Sequence, residues 1–321
     1  MSGARATVLL TGASSFTGVW IAEALAAAGL QVIAPLLRPR EAYAGVRLDR
    51  VARLEQCARV TFDRPFGSER FLDEVRASGG VEILAHHAAH ITGYREPGFD
   101  PLDALARNTA GLLPVLTTLR AAGGRLVILT GSVFEAGEGG GGETPAVTPY
   151  GLSKTLTREA VAYGTADAGL AFARFVIPSP YGPLEEPRFG WRMFSDWFSG
   201  ATPTVRTPRY VRDHLTAPDL AAAYVAHLVQ SLEAGGVGFV ARPSGWIASQ
   251  GDFAQHLAAE ASRRLGRPCL VNLADQMTLE EPLLRINDGA APGVPHGAPA
   301  FWDNYVGWYA QLHDQGRLNP P

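Results

Sequence analysis

The sequence predicts an α/β fold in which a doubly wound parallel sheet is followed by a small mixed C-terminal lobe. Over the first two thirds of the chain, short apolar runs typical of buried strands alternate with helical segments, which is the pattern of βαβ units. The chain has 321 residues, of which 46% are hydrophobic and 18% charged. That size and composition suit a globular protein with one large domain or two modest ones.

The first three elements predict a βαβ unit. Thr7–Leu10 is an apolar run typical of a buried strand, and Val19–Ala28 is an Ala- and Leu-rich helix stopped by Gly29. Gln31–Leu37 is a second apolar strand. We expect the connection between these two parallel strands to be right-handed.

A glycine-rich turn lies between the first strand and the first helix. Gly12 and Gly18 flank it, and Ser15 stands where a middle glycine is often found. Such a turn lets the backbone approach a pyrophosphate and leaves N–H groups of the helix N-terminus free to bind it. The turn predicts a dinucleotide site that includes Gly12, Ser14, Ser15, Phe16, Thr17 and Gly18.

The end of the second strand bears on the choice of dinucleotide. An acidic residue there would accept a hydrogen bond from the ribose 2′-hydroxyl of NAD. This chain has Leu36-Leu37-Arg38-Pro39-Arg40 instead. A guanidinium suits a 2′-phosphate through charge-assisted, forked hydrogen bonds. The sequence favours NADP bound through Arg38, with NAD as the alternative.

The remaining elements continue the alternation and then become mixed. Further strands are predicted at Val60–Asp63, Val81–Leu84, Arg125–Leu129, Gly169–Val176, Val237–Val240 and Val271–Asn272. Further helices are predicted at Ser68–Ala77, Pro101–Arg120, Gly151–Tyr163, Arg188–Arg206, Leu220–Leu232, Ser249–Leu265 and Phe301–Leu312. The Pro- and Gly-rich stretch Asp275–His296 predicts irregular structure.

Charge, cysteine content and apolar runs exclude several function classes. The net charge of -3 gives no basic footprint for nucleic acid or an anionic membrane, and no apolar run reaches the ~18 residues of a spanning helix. Cys57 and Cys269 lie far apart, and no signal peptide is evident, so we expect a reduced, cytoplasmic protein. His86, His87 and His90 follow a strand without a zinc-binding pattern, so no metal is predicted.

Tyr150 and Lys154 are the strongest candidates for chemistry. They lie four residues apart at the start of a predicted helix, so their side chains share one face. A free phenol has a pKa near ~10, and a nearby cation favours its ionised form. The pair is therefore suited to donate or accept the proton of an alcohol or ketone, with the pKa of Tyr150 lowered by Lys154.

Seven motifs in order resemble the extended short-chain dehydrogenase/reductase family of nucleotide-sugar epimerases and dehydratases. They are Thr11–Gly18, Asp63, His86–Ala89, Asn108–Gly111, Thr130–Phe134, Tyr150–Lys154 and Tyr210–Ala221. The resemblance implies a Rossmann-type sheet with the cofactor across the carboxyl ends of the strands. It also implies a homodimer and a small-molecule substrate, a nucleotide-linked sugar.

The resemblance assigns roles to individual residues. Tyr150 is similar to the family's general acid/base and Lys154 to the residue that holds the nicotinamide ribose. Val133-Phe134 stand where the family has Val-Tyr, and counting back from them makes Thr130 similar to the catalytic hydroxyl, with Ser132 in reserve. Further implied cofactor contacts are Asp63 near the adenine, Arg64, His87, Ala88, Ala89, Asn108 and Pro178. Implied substrate contacts are His90, Ser179 and, at the diphosphate, Arg212.

Departures from the family pattern narrow the chemistry. Dehydratases carry an Asp-Glu pair straight after the Thr, where this chain has Gly131 and Ser132. The Asn that usually precedes Tyr181-Gly182-Pro183 is absent, and Ser179 is the nearest polar residue. We therefore predict an NADP-dependent reduction of a sugar ketone. An epimerase that retains its cofactor is the alternative, and a non-catalytic nucleotide-binding protein is a third interpretation.

The predicted domain division follows from these assignments. Residues 1–176, with about 207–232, would form the dinucleotide-binding Rossmann domain. Residues about 177–206 and 233–321 would form the substrate-binding lobe.

Overall fold

The structure is a computed structural model that describes residues 6–140, 144–235, 237–290 and 297–318. Its strands within these ranges are Thr7–Thr11 (β1), Gln31–Pro35 (β2), Arg59–Thr61 (β3), Ile83–His86 (β4), Leu126–Ser132 (β5), Ala171–Ile177 (β6), Ser179–Tyr181 (β7), Thr204–Val205 (β8), Val211–Thr216 (β9), Val237–Ala241 (β10), Trp246–Ser249 (β11), Asn272–Leu273 (β12) and Leu284–Arg285 (β13). The α-helices are Phe16–Ala27 (α1), Gly45–Cys57 (α2), Glu69–Ala77 (α3), Pro101–Asn108 (α4), Leu112–Ala121 (α5), Pro149–Asp167 (α6), Phe189–Phe198 (α7), Ala217–Glu233 (α8), Gln250–Leu265 (α9) and Pro299–Asp314 (α10).

The central layer is a parallel seven-stranded sheet in the order β10-β6-β5-β4-β1-β2-β3. The order reverses direction between β1 and β4, so a crevice opens at the carboxyl ends of these strands. The predicted α/β fold, with a doubly wound parallel sheet and a small mixed C-terminal lobe, is confirmed.

Alternate side chains of the strands supply the two layers of core. Val8 and Leu10 of β1 pack in the cluster that contains Val19 and Leu25 of α1. Leu9 points to the opposite face, where it packs in the cluster with Phe71 of α3. Full burial of one such aliphatic side chain contributes about 1.5–3 kcal/mol. Burial on both faces explains why the strands read as continuous apolar runs.

Two helix predictions were wrong in their extent. Pro101–Arg120 is broken at Gly111, which has a left-handed φ of 64°. A Cβ at Gly111 would lie 2.6 Å from the backbone of Gly67, so only glycine fits this approach. The predicted helix Arg188–Arg206 ends at Phe198, because Thr204–Val205 pairs with Asn272–Leu273.

A second, four-stranded sheet positions the C-terminal third of the chain. In it β9 pairs with β11 on one side and β13 on the other, and β7 also pairs with β9. Val237–Ala241, which the sequence assigned to the substrate lobe, instead pairs with β6 and completes the central sheet. The lobe itself has an aromatic core formed by Trp191, Phe194, Trp302, Tyr305 and Tyr309 among others.

Within the described ranges, no helix combines the length and apolar character that crossing a membrane would require.

Candidate active site

The glycine-rich turn after β1 forms a tight backbone cradle. Gly12 has a φ of 69°, and a Cβ there would lie 2.8 Å from the backbone of Ala88. Ser15 caps α1, since its Oγ accepts a hydrogen bond from the Gly18 N–H at 3.1 Å. The first-turn N–H groups of Phe16 and Thr17 have no backbone acceptor among the described residues. Small size, close approach and open N–H groups fit a dinucleotide diphosphate here.

The ends of β2 and β3 bring Arg38 and Asp63 together. The Asp63 N–H donates to the Arg38 carbonyl at 3.1 Å. Arg38 is exposed, and its guanidinium has no ion-pair partner in the described part of the chain, whereas Arg40 binds Glu55 through two hydrogen bonds of 2.9 and 3.0 Å. The Asp63 carboxylate pairs with Arg70. Of the two arginines considered, only Arg38 thus has a guanidinium open to a ligand.

Arg64 turns back onto the protein. Its Nη1 donates to the Phe62 carbonyl at 2.9 Å, and its Nε lies 3.7 Å from the carboxylate of buried Glu74. These contacts provide a structural role for Arg64, beside the cofactor contact that the sequence predicted.

A buried imidazole links the glycine-rich turn to β5. His87 Nδ1 is hydrogen-bonded to Thr130 Oγ1 at 3.0 Å, and its Nε2 lies 2.9 Å from Thr17 Oγ1 and 3.1 Å from Ser15 Oγ. Burial, followed by the nearby Lys154 and His86, lowers the pKa of His87 to about 3, so the ring is neutral at neutral pH. The sequence assigned His87 to the cofactor but did not predict this bridge.

The two candidate hydroxyl groups of β5 occupy different environments. Thr130 Oγ1 is hydrogen-bonded to His87 Nδ1 at 3.0 Å. The Ser132 hydroxyl bonds the Tyr150 phenol. Counting back from Val133 had favoured Thr130, but β5 stays extended through position 132, so Ser132 is the residue that reaches the helix carrying Tyr150. The geometry therefore favours the reserve candidate.

Helix α6 presents Tyr150 and Lys154 to the end of β5. Thr148 caps the helix by accepting from the Gly151 N–H at 3.0 Å, and Pro149 occupies its first turn. Lys154 is buried, and its Nζ donates to the Thr130 carbonyl at 2.6 Å. The predicted common face is thereby realised, with the ammonium anchored to the backbone of β5.

The electrostatics of the phenol differ from the sequence prediction. Burial raises the pKa of Tyr150, and the carboxylate of Glu135 raises it further, while the Ser132 hydrogen bond and the charge of Arg188 lower it. The predicted lowering by Lys154 is therefore wrong in direction for this structure, because burial outweighs the opposing effects. The Tyr150 phenol is therefore protonated at neutral pH and carries a proton to donate, and the raised pKa makes it a weaker acid than a free phenol.

Glu135 is a site residue that the sequence did not identify. It is buried, and its carboxylate accepts from the Ser132 N–H at 2.9 Å and from Arg174 at 2.9 Å. Arg174 also pairs with buried Glu138 at 2.9 Å. This charged network braces the end of β5 directly behind the Ser132–Tyr150 contact. Its members come from distant strands and loops, so no pattern within one segment identifies this network.

In the loop after β4, two residues that were predicted to contact ligands, His90 and Asn108, form hydrogen bonds within the protein. The His90 N–H donates to Asn108 Oδ1 at 2.7 Å, and Asn108 Nδ2 donates to Thr157 at 3.1 Å. The Ala88 N–H donates to Thr11 Oγ1 at 3.1 Å, and Ala89 follows in the same loop. Asn108 thus fixes the loop against α6, and the His90 ring stacks 6.1 Å from that of Phe99.

A second group of predicted residues lies where β6 passes into the lobe. Pro178 separates β6 from β7, and Ser179 begins β7 in parallel register with His214. Arg212 of β9 is buried, pairs with Glu281 at 3.0 Å and stacks over the Tyr210 ring at 4.6 Å. Arg212 was predicted at the diphosphate, and in this structure its ion pair is with Glu281.

Arg285 lies beside Arg212 in parallel register. It is also buried, and its Nε and Nη2 have no hydrogen-bond partner among the described residues. Two adjacent guanidinium groups, one with unused donors, fit a ligand with several anionic oxygens.

Comparisons with known proteins identify relatives of this architecture. The model of the NAD dependent epimerase/dehydratase family matches residues 8–238. No curated protein sequence matches the chain.

Solved structures with similar folds include a UDP-glucose 4-epimerase from Thermotoga maritima with UDP-glucose, at 17% identity, a TM-score of 0.72 and coverage of 96% of this chain and 99% of that one. A UDP-glucuronic acid 4-epimerase mutant from Bacillus cereus in complex with UDP-4-deoxy-4-fluoro-glucuronic acid and NAD has 16% identity, a TM-score of 0.70 and coverage of 95% and 99%. DesIV, a dTDP-glucose 4,6-dehydratase from Streptomyces venezuelae with NAD and TYD bound, has 18% identity, a TM-score of 0.73 and coverage of 98% and 100%. At these identities the structures establish the fold.

Proposed function

Because the chain belongs to the NAD-dependent epimerase/dehydratase family, we propose that it catalyses NADP-dependent reduction of a keto group on a nucleotide-linked sugar. The observation that carries this proposal is the grouping of Ser132, Tyr150 and Lys154 at the carboxyl end of β5. A hydroxyl, a protonated phenol and a buried cation together suit proton transfer to a carbonyl oxygen.

The protein's own residues account for the proton and for orientation. When bound, a reduced nicotinamide supplies the hydride. Tyr150 donates its proton to the substrate oxygen as charge develops there, and the Ser132 hydroxyl donates a hydrogen bond to the same oxygen. Lys154, held by the Thr130 carbonyl, places a positive charge close to the developing anion. Glu135 keeps the end of β5 in position through the Ser132 N–H.

The residues of the site argue against elimination of water. A dehydration needs an acid and a base beside the reacting carbons. Gly131 and Ser132 stand where the dehydratases have their acidic pair. The nearest carboxylate, Glu135, is buried and already bonded to Arg174 and the Ser132 N–H. This supports redox chemistry at a single carbon.

The choice of NADP rests on Arg38. The end of β2 carries Leu36 and Leu37, so no carboxylate is offered to a ribose hydroxyl there. The exposed guanidinium of Arg38 supports recognition of a 2′-phosphate. The adjacent guanidinium groups of Arg212 and Arg285 support binding of the diphosphate of a nucleotide-linked sugar.

A cofactor-retaining epimerase is the second candidate, and a specific observation favours it. Two of the similar structures are 4-epimerases of UDP-sugars. An epimerase would hold its dinucleotide through purification and need none added. The nicotinamide absorbance released by heat-denaturing the purified protein distinguishes the epimerase from the reductase. A reductase should release little or no dinucleotide and should depend on added NADPH.

The variant Tyr150→Phe tests the proposed chemistry. Loss of the phenolic proton should lower kcat by roughly 100- to 10,000-fold, while the Kd for NADPH changes little because the ring still packs against Tyr94 and Phe134. Turnover and cofactor titration of the same preparation measure both quantities. Retention of most of the activity would refute the role of Tyr150.

A further inference from the structure

A positively charged residue at the start of α7, Arg188, lies close to the proposed catalytic residue Tyr150 of α6. Arg188 directly precedes this helix and is exposed. Its guanidinium carbon is 5.5 Å from the ring centroid of Tyr94, whose ring lies 5.1 Å from that of Tyr150. Arg188 and Tyr94 thus border the space next to the phenol.

The carboxylates closest to Arg188 in the chain are engaged elsewhere. Glu186 pairs with buried Arg50 at 2.6 Å. Glu185 accepts hydrogen bonds from Tyr305, at 2.5 Å, and from Tyr309. Across residues 6–140, 144–235, 237–290 and 297–318, no carboxylate forms an ion pair with Arg188. Its hydrogen-bond donors are therefore open to a ligand.

The field of this cation reaches the reacting group. Burial is the main influence on the pKa of Tyr150 and raises it, but the charge of Arg188 acts in the opposite direction. A substrate oxygen bonded to the phenol would sit within the same field. A substituent on the neighbouring carbon would then extend toward the guanidinium.

We propose that Arg188 binds an anionic substituent, a carboxylate, on the carbon next to the reacting one, so that the preferred substrate is a nucleotide-linked acidic sugar. This specificity rests on the proposed function, because it takes Tyr150 as the group that meets the reacting oxygen. A guanidinium recognises a carboxylate through two parallel, charge-assisted hydrogen bonds and does not gain them from a hydroxymethyl group.

A matched pair of probes tests the proposal. UDP-glucuronic acid and UDP-glucose differ at one carbon, a carboxylate against a hydroxymethyl group, and calorimetry gives the Kd of each for the NADPH-saturated protein. The wild-type protein should bind the acid at least about tenfold more tightly. Arg188→Gln should raise the Kd for UDP-glucuronic acid by roughly 10- to 100-fold and change the Kd for UDP-glucose by less than about threefold. Arg188→Lys should recover part of the preference.

Arg95→Gln is the matched control. The Arg95 guanidinium stacks on the same Tyr94 ring at 5.2 Å, and the residue is exposed. Its removal deletes a cation–π contact of the same kind and should leave both Kd values within about twofold. If Arg95→Gln reproduces the loss, or if the wild-type protein binds both probes equally or neither, the proposal is overturned.

Neither probe carries a ketone, so their NADP⁺-dependent oxidation at the hydroxyl of the carbon next to the carboxylate or hydroxymethyl group, the reverse of the proposed reduction, separates this inference from the proposed function. An Arg188-dependent binding preference without any nicotinamide-linked turnover would refute the reductase and leave the acidic-sugar site intact. Turnover of both probes with equal kcat/KM would refute the acidic-sugar site and leave the oxidoreductase intact.

Discussion

At the scale of single residues, the hydroxyl groups of Ser132 and Thr130 are expected to contribute differently to catalysis. Ser132→Ala removes the hydroxyl that bonds Tyr150, so kcat should fall by roughly 10- to 100-fold, equivalent to about 1.4–2.8 kcal/mol of transition-state stabilisation. Thr130→Val removes only a hydroxyl bonded to His87 and keeps the carbonyl that holds Lys154.

Thr130→Val should therefore lower stability by about 1 kcal/mol and change kcat by less than about threefold. Steady-state kinetics and thermal unfolding of both variants measure the two effects. The reverse ranking of kcat losses would return the catalytic role to Thr130.

Arg38 and Arg40 form a second matched pair. Arg38→Ala removes an exposed guanidinium that has no ion-pair partner among the described residues. It should raise the Kd for NADPH by roughly 10- to 100-fold and the Kd for NADH by less than about threefold. Arg40→Ala removes one already bound to Glu55 and should change neither by more than about twofold. Titration of both cofactors by fluorescence measures the effect, and equal losses for NADPH and NADH would contradict NADP specificity.

Sequence spacing predicts relative position where both residues lie in one element. Tyr150 and Lys154 share a helix, so four residues of separation place them on one face. The distinction between Ser132 and Thr130 depends on where β5 ends, which counting from Val133 does not establish. The pKa of Tyr150 depends on burial and on Glu135, and neither can be read from the tyrosine's neighbours in the chain.

At the scale of elements, the segment before α7 makes stability depend on pH. Burial raises the pKa of Glu185 to about 7, against hydrogen bonds from Tyr305 and Tyr309 that lower it. The folded state therefore binds the proton of Glu185 more tightly than the unfolded state does. The stability that this proton contributes is fully present below about pH 4.5 and is lost as pH rises through about 7.

Glu185→Gln keeps an oxygen for both tyrosines and removes the charge. Its free energy of unfolding should equal that of the wild-type protein at pH 5 and exceed it at pH 8 by up to about 3 kcal/mol. Glu186→Gln is the control, because the pKa of Glu186 is shifted in the opposite direction to that of Glu185. Although burial raises the pKa of Glu186, its bond to Arg50 lowers it overall, so this variant should be less stable at pH 8. Melting temperatures between pH 5 and 8 measure both, and a pH-independent difference for Glu185→Gln would contradict the assignment.

Elements were predicted from sequence where periodicity is local. The strands of the central sheet are continuous apolar runs, and each was recognised from its own residues. The break between α4 and α5 was not, because Gly111 is required by its approach to Gly67, more than one element away. Similarly, Arg212 and Arg285 come together only through the pairing of β9 with β13. Such long-range pairings leave no pattern within a single segment.

At the scale of the whole molecule, α5 and α6 present an apolar face to solvent. Leu113 is 52% exposed and Tyr163 is 73% exposed, and with Leu112, Pro114 and Ala160 they line one groove. Isolated exposed apolar residues are ordinary, but a contiguous patch indicates an interface. Because both helices cross between parallel strands on one side of the sheet, they run in the same direction, and a second copy related by a two-fold axis can pair the same face with itself. We predict a homodimer through this face.

The variant Tyr163→Asp tests that prediction, since a carboxylate buried at a two-fold interface would meet its own symmetry mate. The wild-type chain should have about twice the monomer mass by light scattering at micromolar concentration, and Tyr163→Asp should have the monomer mass with an unchanged melting transition at low concentration. Leu270→Asp places the same charge on an equally exposed apolar residue of the lobe, 64% exposed, and should remain dimeric. A monomeric wild-type chain would contradict the dimer outright. Dissociation by Leu270→Asp alone would move the interface to the lobe.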